Sequence, residues 1–112
     1  SWGKLYEKAL LGLHAQMAKD LKWEKNDLGF VIGRLSDFDM SNRRYPHWTI
    51  VREVQERVAN SNNNFFLVNT DDLNDGLNRK GKAIKDDLHY SAEGYKILGE
   101  RFAGACLKVV RN

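Results

Sequence analysis

Apolar residues recur every four positions from Leu5 through Ala9, Leu13 and Met17 to Leu21, with Leu10 widening the stripe and Lys and Glu filling the other face. That spacing predicts an amphipathic helix over about residues 3–22. Lys25-Asn26-Asp27 reads as a turn. Leu28 to Leu35 is a short, mostly apolar run whose Phe30-Val31-Ile32 centre favours a buried strand. Residues 36–46 are polar, end on the only proline and read as a loop. A second helix is expected over about 47–60, with Ile50, Val51, Val54 and Val58 inward. Asn60-Ser61-Asn62-Asn63-Asn64 ends it, because Asn and Ser favour caps and turns. Phe65 to Asn69 is a second buried strand. A polar stretch follows from Thr70 to Lys85, and a loop of that length in a compact domain is usually functional or disordered. The last helix is expected over about 91–108. Ser91 suits its N-cap, Glu93 its positive N-terminal end, and Tyr95, Leu98, Phe102 and Ala105 or Cys106 its inward stripe.

The order helix, strand, helix, strand, loop, helix implies an α/β protein with a parallel sheet flanked by helices. Two strands are too few for a sheet of that kind, because both faces of each strand must be covered. The expectation is therefore that residues 1–112 form the C-terminal part of one α/β domain. The first helix would be a crossover from a strand outside the chain, which opens abruptly at Ser1-Trp2-Gly3. The alternative is a small α/β protein with a third strand that the pattern does not reveal.

Composition narrows the classes further. With 112 residues, 42% apolar, the chain is one domain at most and can bury a core. A single Cys excludes an internal disulfide and a cysteine zinc cage. No apolar run approaches the roughly 20 residues of a membrane span, and no signal-peptide core is seen at the start. Lys plus Arg is 18 against 15 Asp plus Glu, and the bases are mostly interleaved with acids, as in Lys22-Trp23-Glu24-Lys25. Nucleic-acid binding is not expected from such interleaving. Two basic clusters stand out, Arg43-Arg44 and Arg79-Lys80-Gly81-Lys82 with Lys85 beyond.

The strongest chemical signal is Asp86-Asp87-Leu88-His89, just before the last helix. An Asp three residues before a His in a turn can hold one imidazole nitrogen and leave the other to take a proton from a hydroxyl. The preceding loop would set both at the C-terminal edge of the strands, where open α/β sheets bind ligands. Arg79, Lys80 and Lys82 lead into this segment and are candidate contacts for an anionic substrate such as a carboxylated sugar; a solvated loop is the competing reading. Arg34 and Arg43-Arg44 share that ambiguity. Ser36 follows the first strand, but lacks the sharp turn that exposes a nucleophile, and reads as a loop serine bonded to its own backbone. His14 falls on the polar side of the first helix and reads as solvated; His47 reads as a surface or rim residue. Neither has zinc-site spacing. Asp71, Asp72 and Asp75 read as a polar turn and not a cation loop. Cys106 reads as a small core residue. Tyr45 or Trp48 could stack on a sugar ring or serve as core aromatics.

The segment Asp86-Asp87-Leu88-His89-Tyr90-Ser91-Ala92-Glu93-Gly94-Tyr95-Lys96-Ile97-Leu98-Gly99 resembles the C-terminal block of the SGNH hydrolases, most closely the sialate-type carbohydrate O-acetylesterases. Trp48 to Gln55 resembles that family's helix with an R-x-x-Q feature, here Arg52 and Gln55. Val68 to Leu73 resembles the strand and turn before the final loop. The resemblance implies a flavodoxin-like sheet, with Asp86 and His89 as two members of a Ser-His-Asp triad that needs no metal or organic cofactor. It implies an acetylated carbohydrate substrate. The nucleophile and oxyanion blocks that the family carries N-terminally are absent from the 112 residues, so the missing N-terminal part of the same domain is the expected partner. The chain alone is expected to be inactive. Related enzymes are often exported. A rival reading is a non-catalytic α/β module that holds an acidic glycan or other polyanion on its basic loop.

Overall fold

The computed structural model describes residues 1–36, 41 and 45–111. Helix α1 spans Trp2–Leu21, strand β1 Phe30–Gly33, helix α2 Trp48–Ala59 and strand β2 Phe65–Val68. A polar connection then carries two two-residue strands, β3 (Gly76–Leu77) and β4 (Ala83–Ile84), before helix α3, Ala92–Arg111. β1 and β2 pair in parallel, Phe30 opposite Phe65 and Gly33 opposite Val68. β3 and β4 form a separate antiparallel hairpin. The expected loop of residues 70–85 thus folds back on itself, and among the described residues it adds no third strand to the parallel pair.

The strand pair is the middle layer. Ile32 and Phe65 face α2, where they are buried with Val54, Val58 and Ala59; Tyr6, Leu10, Phe30 and Leu67 pack around that cluster. Gly33 faces the other way, with the Phe102 ring of α3 lying over it. This alternation is what a strand covered on both faces requires.

The packing corrects several expectations. The buried residues of α1 are Gly3, His14 and Ala18, with Tyr6 and Leu10 against the core. The expected stripe lies one position round: Leu5, Leu13, Met17 and Leu21 are 40–60% exposed. Both sets repeat every four residues, and close approach selects between them. The Ile50 side chain sits where a Cβ of Gly3 would be, so α1 and α2 meet at that glycine. His14 is not solvated: it is buried, its ring meets Phe30 and Phe65 edge-on with centroids 4.8 and 4.6 Å away, and its Nε2–H donates to the Leu28 carbonyl at 2.6 Å. An imidazole fits there because one polar edge satisfies the turn before β1 while the ring fills apolar space. In α2, Ile50 is 39% exposed, and Arg52 and Gln55 are buried beside Val54 and Val58. In α3, Tyr95 is 53% exposed and Cys106 is exposed too; Gly94 and Ala105 take the inward places.

The result is a slab, 47 × 34 × 20 Å, with a radius of gyration of 15.7 Å. A compact domain of this length has about 13 Å. The accessible surface of 7883 Å² likewise exceeds the roughly 6300 Å² of a folded monomer of this mass. Uncovered apolar positions account for part of the excess: Trp2, Leu5, Leu13 and Leu21 on α1, and Leu107 and Val110 on α3, are all more than half exposed.

Candidate active site

The chain leaves both parallel strands at the same edge, and a buried polar clamp from α2 fixes the exits. Leu35 follows β1. Its N–H donates to Gln55 Oε1 at 2.8 Å, and its carbonyl accepts from Arg52 Nη1. Arg52 also reaches both carboxylate oxygens of Asp71, beyond β2, at 2.6 and 3.1 Å. Gln55 Nε2 donates to the Tyr6 hydroxyl at 3.2 Å. The R-x-x-Q spacing thus puts two side chains one turn apart on the N–H and the carbonyl of one residue, Leu35. Trp48 Nε1 donates to the next carbonyl, that of Ser36, at 2.7 Å, and stacks obliquely with Tyr45 at 5.7 Å. Arg34 is likewise committed to structure, pairing with Glu56, Asn69 and Asp71. Asp72 pairs with Arg101 of α3 through two 2.7 Å bonds, and those bonds hold its carboxyl below the usual carboxylate range. Asp71 and Asp72 therefore form the expected polar turn, each occupied by arginine.

The last helix is anchored to this edge. The Ser91 N–H donates to the Leu73 carbonyl at 2.8 Å, and its Oγ caps α3 by accepting the Gly94 N–H at 2.9 Å. A Cβ on Gly94 would run into the Leu73 carbonyl oxygen, so glycine is required for α3 to lie this close. Between Leu73 and Ser91 sits Asn74, only 3% exposed. Its Nδ2 lies 3.2 Å from Ser36 Oγ, 2.7 Å from the Asp87 carbonyl and 3.4 Å from the His89 carbonyl. Ser36 is buried with it and, among the described residues, its hydroxyl meets Asn74 and no backbone group.

His89 stands on this turn with its imidazole open to solvent, its side chain 74% exposed. The carboxylate beside it is that of Asp87, 3.7 Å from Nδ1; the Asp87 carboxylate also accepts the His89 N–H at 2.9 Å. Asp86 is in the left-handed region, φ 47°, and its N–H donates to Asp75 Oδ1 at 2.7 Å. Among the described residues, no hydrogen bond joins the Asp86 carboxylate to His89. His89 and Asp87 line a cleft of about 510 Å³ with Asn78, Arg79, Lys80 and Tyr95. Two of the three basic candidates therefore share a wall with His89, and Lys82 does not: its N–H donates to Asn78 Oδ1 in the hairpin turn. His47 is exposed near Trp2, 6.2 Å between ring centroids. Arg43 and Arg44 lie outside the described residues. No cluster of three or more His, Cys, Asp or Glu among the described residues could hold a metal ion.

Two residues central to this geometry are only faintly marked in the sequence. Asn74 looks like one more polar loop residue, and Ser91 was legible only as a cap. What the structure adds is that both are buried.

A parallel strand pair between helices defines an α/β protein, and its candidate histidine turn stands at the C-terminal edge, where such sheets bind their ligands. The family model for carbohydrate esterases, the sialic acid-specific acetylesterases, matches residues 1–108. The chain belongs to that carbohydrate esterase family. No curated protein and no solved structure matches it significantly. No helix among the described residues is long and apolar enough to cross a membrane.

Proposed function

We propose that this chain supplies His89 and its carboxylate partner to a serine esterase that removes O-acetyl groups from a carbohydrate. The observation that carries the reading is His89 itself: an exposed imidazole on a turn anchored to the strand exits, in a chain of the acetylesterase family. In this reading a serine from outside the 112 residues attacks the acetyl carbonyl while His89 takes its proton. The proton passes to the departing sugar oxygen as the acetyl-serine forms. His89 then takes a proton from a water as that water attacks the acetyl-serine carbonyl, and gives it to the serine oxygen as acetate leaves.

The D-x-x-H spacing assigns the orienting role to Asp86, and completion of the site would bring its carboxylate to Nδ1. Hydrogen bonds of catalytic groups are often long in unliganded proteins, so the present separation does not remove the candidate. Asp87, already beside Nδ1, is the second reading for that role. Arg79 and Lys80 would draw an anionic sugar into the cleft, with Lys82 adding charge from outside it. The same pair also supports the rival reading, a polyanion-binding module, which requires strongly salt-dependent binding.

The missing partner would be the first part of the same domain. Supporting this are the outer edge of β1, which no strand among the described residues pairs, the exposed apolar stripe of α1 on one side of the strand pair, and the exposed Leu107 and Val110 of α3. A parallel strand beside β1, with its own helices, would complete a flavodoxin-like sheet and cover these positions. The test is hydrolysis of p-nitrophenyl acetate and of an O-acetylated sugar by the isolated chain. No turnover is expected. Robust turnover that disappears in His89→Ala would overturn the split-site reading and point to a nucleophile within the chain.

A further inference from the structure

We propose that Asn74 is a positioning residue for His89, holding the histidine turn against the exit of the first strand through its side-chain amide. The proposal rests on the reading of His89 as the general base. Three observations converge on it. The Asn74 Nδ2 group points at two carbonyls of the turn, those of Asp87 and His89. Its third neighbour, Ser36 Oγ, belongs to the segment already fixed by Arg52, Gln55 and Trp48, so the amide bridges a rigid edge to the turn. Its Oδ1 is buried with no hydrogen-bond partner among the described residues. A buried acceptor left unpaired is destabilising, so stability alone is a poor reason for an amide here, whereas an NH₂ group, its two N–H donors shared among Ser36 Oγ and the two carbonyls, is what this cluster of acceptors requires.

The chemistry depends on such a bridge. The rest of the turn is exposed: Asp86 and His89 lie at the surface, and Asp87 and Leu88 are only half-buried. Without the amide, the imidazole would be held by the start of α3 on one side and a polar hairpin on the other. Proton transfer falls steeply when a base is displaced by about 1 Å, on the order of a hundredfold.

The test begins with the unmodified chain, ¹⁵N-labelled. The two Asn74 Nδ2 protons should be resolved, slow to exchange and close to the His89 backbone by nuclear Overhauser effects; exchange at the rate of a free amide overturns the proposal with no variant needed. Asn74→Ala and Asn74→Asp should then lower the order parameters of the Leu88 and His89 amides from about 0.85 towards 0.6 or below, leaving Val54 and Val58 rigid. In the full-length esterase the same variants should lower kcat by about 10–100-fold with KM little changed. A rigid His89 and unchanged kcat in Asn74→Ala overturn the proposal, provided His89→Ala is inactive. An active His89→Ala instead removes the general-base reading, and the order parameters still decide whether Asn74 orders the turn.

Discussion

Replacing Arg52 by Met keeps the aliphatic stem in α2 and removes the guanidinium that joins Leu35 to Asp71. The side chain of Arg52 is 10% exposed and that of Asp71 30%, so the pair is mostly desolvated. Charge-assisted hydrogen bonds contribute about 1.5–3 kcal/mol each, and removing one partner of a fully buried pair costs about 3–5 kcal/mol. Asp71 keeps Arg34 and some water, which lowers the cost, while the Leu35 carbonyl loses a donor. A destabilisation of about 3 kcal/mol follows, equivalent to a fall in Tm of about 13 °C for a chain this long. Urea unfolding followed by circular dichroism, on wild type and Arg52→Met, measures it. With a slope of about 1.5 kcal/mol/M the midpoint should drop by about 2 M at unchanged slope. A loss under about 1 kcal/mol, the range of a surface ion pair, would refute the reasoning that the R-x-x-Q pair is a buried clamp.

Gly94→Ala should destabilise by about 2 kcal/mol or more, because the new methyl meets the backbone carbonyl of Leu73 and α3 must move; thermal unfolding checks it. Arg101→Gln should lower Tm at pH 7, and the difference from wild type should shrink as pH falls below about 4. The folded-state pKa of Asp72 is depressed by Arg101, so the stabilisation is present above the unfolded value of about 3.9 and is lost as pH falls through the folded value. A Tm difference that persists unchanged at pH 3 would mean that the pair does not carry the effect.

Much of the fold was legible in the pattern because burial is periodic. Both parallel strands, all three helices and the Ser91 cap follow from apolar spacing and polar breaks. The face of α1 was not legible. Two four-residue repeats run side by side on that helix, and only tertiary approach, Ile50 over Gly3 and His14 between two phenylalanines, selects the inward one. The repeat that periodicity favoured is the one left uncovered. At the site, residue type and spacing picked out His89 and its acidic neighbours. Spacing did not reveal that the Asp87 carboxylate lies 3.7 Å from the ring, nor that Asp86 takes a left-handed backbone with its N–H on Asp75. Nor did it reveal that Asn74 is buried, between two segments far apart in sequence.

The central claim is that His89, oriented by a neighbouring aspartate, is the base of an acetylesterase completed from outside this chain. Its most direct measurement is kcat/KM for an O-acetylated sialic acid in the full-length protein, for wild type, His89→Ala, Asp86→Asn and Asp87→Asn. A loss on the order of 10³–10⁴ in His89→Ala and in Asp86→Asn, with Asp87→Asn far less affected, is the expected result. A His89→Ala enzyme that hydrolyses the substrate at the wild-type rate would contradict it.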